Sequence, residues 1–247
     1  MKTRLSAVVV FAGLCAWLSA APLPPARSAP QQVAPPPVRA VGGAAPVPDK
    51  GRFRILLDGK ECGSEQFELS ASGDAWAAKG DALVCVPGSG QTQHSTGELR
   101  FSADGTPLHY EWTAQGDKKA AGTVNFEDGT AKTSINVGAA EPIHQDFKFT
   151  SPRVAVLDNN LYDQYAVLAR LYDWNAKGTQ TFPVLIPQDA TPGSISIEPL
   201  GPKTIDGSSL DGLRVRTSDI EVDAYFDGRR RLMRVEVPDA KVVIVRQ

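Results

Sequence analysis

The chain has 247 residues, 42% hydrophobic and 22% charged, with 26 Lys and Arg against 28 Asp and Glu. A formal charge of −2 leaves no basic footprint, which argues against a general nucleic-acid binder. The length leaves room for one domain with a substantial core.

The opening MKTRLSAVVVFAGLCAWLSAAP places Lys2 and Arg4 before an apolar run from Leu5 to Leu18, with Ser19, Ala20 and Ala21 behind it. This order predicts a secretory signal peptide over residues 1–20, cut after Ala20. A membrane span wants about 20 apolar residues. The run is shorter, so a retained anchor, which would keep the protein near a membrane, ranks behind cleavage. Lipid attachment at Cys15 ranks lower still, because Leu14 is bulky for such a cleavage site. Export to the periplasm or cell envelope is the expectation. Residues 21–50 are rich in Pro and Ala, carry a PPP triplet and contain no aromatic residue. Such a segment cannot bury enough apolar surface to offset the entropy of ordering it, and it reads as a disordered, extended linker.

Residues 51–247 read as a single β-rich domain. Asp-Gly pairs recur at Asp58-Gly59, Asp104-Gly105, Asp128-Gly129, Asp206-Gly207, Asp211-Gly212 and Asp227-Gly228. Each is a hairpin signal, since both central residues of a type I′ turn need positive φ. The flanks alternate as strands should. Phe53, Ile55 and Leu57 share a face; Leu99 and Phe101 precede a turn that Leu108, Tyr110 and Trp112 follow; Val124 and Phe126 precede one that Ile135 and Val137 follow. The pattern predicts an antiparallel meander.

Gly73-Asp74 reads as a type II′ hairpin with Ser72 opposite Ala75. Counting outward then sets Cys62 opposite Cys85, where a cross-strand disulfide suits an oxidising compartment. Two separate buried thiols are the alternative. No Cys-x-x-Cys or paired histidine accompanies them, so no metal site is expected. At the C-terminus, a two-residue loop at Asp227-Gly228 predicts Phe226 opposite Arg229, Ala224 opposite Arg231, Val222 opposite Met233 and Ile220 opposite Val235. A turn at Pro238-Asp239 then pairs Val235 with Val242 and Met233 with Ile244, and Glu221 meets Arg234 on the other face.

One stretch differs. In NNLYDQYAVLARLYDW, Leu161, Tyr165, Leu168 and Tyr172 recur at helical spacing after Asn159 or Asn160 as cap. Tyr162, Ala166, Ala169 and Leu171 widen the stripe, leaving Asp163, Val167 and Arg170 as the wet edge. A helix on a flat sheet needs a narrower apolar face. The prediction is therefore a mainly β fold, a large curved antiparallel sheet forming an open or half barrel that wraps one α-helix.

The phrases ILLDGKECGSEQFELSASGDAW and DIEVDAYFDGRRRLMRVEVP, with the meander between them, resemble secreted bacterial domains of unknown function related in shape to the lipoprotein-carrier fold, LolA/LolB-like. That resemblance implies an open barrel able to hold acyl chains. It brings no active-site motif, and the carriers have more helices than the one visible here.

Residue chemistry adds little. His94, His109 and His144 are scattered; His94 sits beside Ser95 in PGSGQTQHSTG, which reads as a flexible loop. No nucleophile-elbow, zincin or phosphate-loop motif appears. Asp219, Glu221 and Asp223 form a carboxylate row along a strand, and Arg229–Arg231 follow a turn; both read as solvated surface. The expectation is a non-enzymatic exported protein with no catalytic residue, metal or cofactor, binding an apolar ligand, lipid or lipoprotein through Leu161, Tyr165, Leu168 and Tyr172. The alternative is a structural or assembly module with a fully packed core acting by surface contacts. A hydrolase ranks third.

Overall fold

The computed structural model describes residues 46–116, 119–176 and 178–247. The predicted signal peptide and most of the predicted linker lie outside the described residues. Eight strands run in order: β1 (Asp49–Leu57), β2 (Lys60–Ser72), β3 (Ala75–Val86), β4 (Gln91–Phe101), β5 (Pro107–Gln115), β6 (Lys119–Glu127), β7 (Thr130–Val137) and β8 (Ile143–Lys148). The short β9 (Ala155–Val156) and the helix α1 (Gln164–Leu171) follow. A second series comprises β10 (Gln180–Ile186), β11 (Thr191–Ile205), β12 (Ser208–Arg216), β13 (Glu221–Phe226), β14 (Leu232–Val237) and β15 (Val242–Arg246). β1 begins two residues inside the segment read as linker.

All strands join one 15-stranded sheet in the order β8-β7-β6-β5-β4-β3-β2-β1-β15-β14-β13-β12-β11-β10-β9. Every neighbouring pair is antiparallel except β9 with β10. The last strand pairs with the first, closing the two series into one surface. The end strands β8 and β9 do not pair with each other, so the barrel stays open. This is the predicted fold class.

Three of the Asp-Gly pairs behave as expected. Asp58-Gly59, Asp128-Gly129 and Asp206-Gly207 have positive φ at both residues and close the pairs Leu57↔Lys60, Glu127↔Thr130 and Ile205↔Ser208. The others do not make two-residue turns. Asp104 sits in a longer loop, where its carboxylate accepts hydrogen bonds from the Thr106 N–H and the Ser102 hydroxyl. Asp211-Gly212 lies inside β12, with Gly212 facing the Tyr225 ring across the ladder. Asp227 uses one carboxylate oxygen to accept the N–H groups of both Arg229 and Arg231 at 2.9 Å. That favours a wider loop in which Arg230 takes φ 63°.

The wider loop corrects the predicted C-terminal register. Phe226 faces Leu232 and Ala224 faces Val235, instead of Arg229 and Arg231. The next hairpin is also shifted: Lys241 N–H closes on Pro238 O, so Val237 pairs with Val242 and Val235 with Ile244. The inward set is Val222, Ala224, Phe226, Leu232, Val235, Val237 and Ile244, with Met233 only half-buried. Glu221 does not meet Arg234. It pairs with Arg214 and Arg216 of β12, while Arg234 holds Glu236.

The N-terminal hairpin follows prediction. Ser72 pairs with Ala75 across Gly73, whose φ is 66°, and Cys62 is bonded to Cys85 with Cα atoms 5.1 Å apart. Changing both cysteines to alanine is expected to lower unfolding stability by about 2–4 kcal/mol. Urea denaturation of the double variant measures it; a midpoint equal to that of the parent would contradict a structural role for the bond.

The helix is shorter than predicted and is buried on nearly every side. Neither Asn159 nor Asn160 caps it; Asp163 occupies the cap position. The expected wet edge is dry, with Asp163, Val167 and Arg170 at 2%, 3% and 2% exposure. Strand β9 and Val154 close over the Val167 side, so the sheet and this return segment together surround the helix. An all-round buried helix no longer needs a polar edge toward water.

Candidate functional site

The concave face is shaped by a row of glycines running across the strands. In register lie Phe67 on β2, Gly80 on β3, Gly97 on β4, Trp112 on β5 and Gly122 on β6. A Cβ at Gly80 would come within 2.7 Å of Asp163 Oδ1 and 3.0 Å of Leu161 Cδ2. One at Gly97 would stand 2.8 Å from both Leu161 Cδ1 and Tyr110 Oη. The missing side chains are what let the segment before α1 lie directly on the sheet. Over Gly122 the Trp112 indole takes the vacant place, its Nε1 2.7 Å from where a Cβ would stand.

Buried acids fasten that segment. Glu65 points inward from β2 at 0% exposure, and its two carboxylate oxygens accept the N–H groups of Tyr162 and Asp163 at 2.9 and 3.0 Å. These donors lie in the turn leading into α1, so a sheet residue does what a local cap residue does elsewhere. Asp158, one turn of chain earlier, accepts the Gln188 and Asn159 N–H groups and the Tyr110 hydroxyl. Gln164 completes the ring: its amide donates to Tyr110 Oη at 3.0 Å and its carbonyl accepts the Asp158 N–H. The far end of α1 is held too, by Trp174 Nε1 donating to Ala169 O and by Arg153 donating to Leu171 O.

Burial raises the proton affinity of all three carboxyls. Desolvation pushes Asp163 up to about 6 and Asp158 to about 7. Glu65 is raised well above its ordinary value by desolvation and by the neighbouring Asp163 charge. Glu65 and Asp163 are hydrogen-bonded to each other, so one proton between them removes their repulsion.

Of the predicted ligand residues, Leu161, Leu168 and Tyr172 are buried at 1%, 3% and 1%, while Tyr165 is partly buried against the same core. Leu168 lies in a contact zone with Leu99, Val154, Val156 and Leu171 that leaves no room for a water molecule. Tyr172 belongs to an aromatic group at the helix C-terminus, packed edge-on to Trp174, which in turn packs edge-on to Phe226. The Arg230 guanidinium lies 3.7 Å over the Trp174 ring and bonds Asp211. Arg231 bonds Asp227. The arginine run is thus largely absorbed into the structure of its hairpin.

The remaining candidates do not converge. PGSGQTQHSTG is mostly strand: His94 and Ser95 are in β4 and face opposite sides, Ser95 buried and His94 outside on Asp81 at 2.9 Å. An open depression of about 560 Å³ beside Asp81 is lined by Lys50, Gln66, Glu68 and Lys79. Its charges are mixed, and Lys79 is already paired with Glu98. His109 bonds Asn125, and His144 stands on the exposed β8. Within the carboxylate row, Asp223 is bound bidentately by Arg214. Among the described residues no group of His, Cys, Asp and Glu is arranged to hold a metal ion.

Sequence reasoning missed Glu65, Tyr110, Asp158 and Gln164 as a unit. A signal existed for Glu65. It shares parity with the inward Phe67 and Leu69, so a carboxylate stands where the strand pattern demands an apolar residue.

The fold and this anchored helix define an open, β-barrel-like domain. No family model matches the sequence, and no curated protein matches it. Among solved structures, a β-barrel-like protein of the domain of unknown function DUF1849 from Brucella abortus aligns with a TM-score of 0.56. The alignment covers 81% of this chain and 96% of that one at 12% identity. A DUF1089 family protein from Pseudomonas aeruginosa aligns at a TM-score of 0.43, over 70% of this chain and 89% of that one, at 14% identity. The first likeness supports the fold alone, and the second is too distant to carry argument. Both neighbours are domains of unknown function; kinship with the lipoprotein carriers stays an expectation from the sequence.

Proposed function

We propose that the protein is an exported, non-enzymatic module of the cell envelope whose filled barrel serves as a rigid scaffold and which works through its surface. The observation behind this reading is the packing around α1. Both helix ends are anchored by tertiary hydrogen bonds, to Glu65 at the start and from Arg153 at the end, and the contact zone against the sheet is too tight for water. The Cys62–Cys85 bond fits export to an oxidising compartment.

A second reading keeps the apolar cargo. It is favoured by the open seam between β8 and β9, through which the helix could leave its seat to an acyl chain or lipoprotein segment. Native mass spectrometry of protein purified from cells separates the two. The scaffold reading expects the bare chain mass and no uptake of a fluorescent fatty-acid analogue. Co-purifying acyl material, displaced by that analogue, would overturn it in favour of the carrier.

A further inference from the structure

Strand β8 ends the sheet, and it is exposed at every residue except Phe147. Its backbone orientation follows from its bonds to β7. Phe149 N–H donates to Gly129 O at 2.8 Å, and Gln145 O accepts the Thr133 hydroxyl at 2.8 Å. Hydrogen-bonded residues alternate along an antiparallel ladder. Odd-numbered residues of β8 therefore turn their N–H and C=O groups toward β7. His144, Asp146 and Lys148 present theirs to the open edge.

The sequence of that edge, Ile143-His144-Gln145-Asp146-Phe147, is chemically palindromic about Gln145. Set two copies antiparallel with Gln145 facing Gln145. His144 of each protomer then faces Asp146 of its partner, and both residues of that pair carry outward backbone groups. Imidazole thus meets carboxylate twice, on the outer face. On the inner face Ile143, exposed to 57%, meets Phe147 of its partner. Sliding one strand by two residues keeps the backbone pairing but sets His144 against His144 or Asp146 against Asp146. Only the centred register is complementary.

We infer that β8 is a self-association edge, pairing with β8 of a second copy to give a two-fold symmetric dimer with one continuous sheet. An exposed strand edge is a template for such addition, and an isologous contact needs the self-complementarity this strand has. Pro142, which lacks an N–H, bounds the ladder opposite Lys148. A single strand pair buries little surface, so the dimer is concentration-dependent. The inference does not depend on what the barrel interior holds.

Sedimentation velocity on the purified protein, from about 1 to 200 µM, tests it. The weight-average mass is expected to rise from one chain toward two. Asp146→Lys removes the carboxylate acceptor and sets an ammonium donor against the partner's imidazole, and is expected to weaken association roughly tenfold or more. Adding His144→Glu to it sets a carboxylate against that ammonium and is expected to restore the dimer. Circular dichroism confirms that each variant is folded. A wild-type monomer throughout the range, a dimer indifferent to Asp146→Lys, or a folded double variant that stays monomeric would each overturn the inference.

Discussion

Alanine in place of Gly63 is expected to destabilise the fold by about 3–5 kcal/mol, from backbone strain and overpacking together. Gly63 has φ 157°, and a Cβ there would stand 2.1 Å from the Leu83 carbonyl oxygen and 2.9 Å from Val84 Cα. Those obstacles are backbone atoms of the paired strand, so no side chain can rotate away to make space. The residue sits at the point where the β1–β2 ladder slips: Ile55 faces Gly63, while Leu56 faces Glu61. Cys62 is the extra residue of that bulge and carries the disulfide to β3. Bulges bend a strand and increase its twist. The same few residues therefore supply part of the curvature that lets the sheet surround α1. Urea denaturation compares Gly63→Ala with Gly116→Ala, where the nearest atom is 4.0 Å away and the change is expected to stay within about 0.5 kcal/mol. Equal midpoints for the two variants would show that the bulge tolerates a side chain and that its geometry matters little.

What could be read from the sequence divides along the same lines as local and tertiary causes. The hairpin at Gly73 and the pairing of Cys62 with Cys85 depend only on a tight turn and an unbroken count along two strands, and the count held. The β13–β14 register failed because an identical dipeptide signal met a different local chemistry. The Asp227 side chain captured two N–H groups and opened the loop, moving each partner three or four residues. Asp211-Gly212 failed for a tertiary reason, since Gly212 is needed in mid-strand to clear the Tyr225 ring. The helix was visible as a stripe and implied the wrapping sheet. Its polar positions were misplaced because amphipathicity assigns Asp163 to water, whereas the fold assigns it to Glu65, almost a hundred residues away in the chain. Periodicity describes one element at a time. A buried network is a relation between elements.

Between pH 5 and pH 8 the protein is expected to become less stable. Asp158, Asp163 and Glu65 all bind their protons more tightly in the fold than in the unfolded chain, where carboxyls titrate near 4. A raised folded-state value adds stability that is complete below the unfolded value and is lost as pH rises through the folded one. The loss therefore begins near pH 4 and runs through about 6 for Asp163 and about 7 for Asp158, with Glu65 adding to it in the same direction. For Asp158 alone the limiting loss is roughly 4 kcal/mol. Asp104 and Asp227 act with the opposite sign, held below their ordinary values by hydrogen bonds and nearby arginines, so they weaken the fold only as pH falls through the acid range. Maximum stability is expected in the mildly acidic range between these two effects.

Asp163→Asn isolates the cause. The asparagine amide can donate to Glu65 where the shared proton stood, and its carbonyl can accept the Gln164 N–H, so Glu65 ionises among donors alone. The variant is expected to lose roughly half of the pH-dependent fall and to exceed the parent in stability at pH 8. Urea midpoints at pH 5, 6, 7 and 8, followed by tryptophan fluorescence, provide the measurement. A parent whose midpoint is flat across that range would mean that the three acids are solvated rather than buried. An Asp163→Asn slope equal to that of the parent would remove the Glu65–Asp163 pair from the account and leave Asp158 as the source.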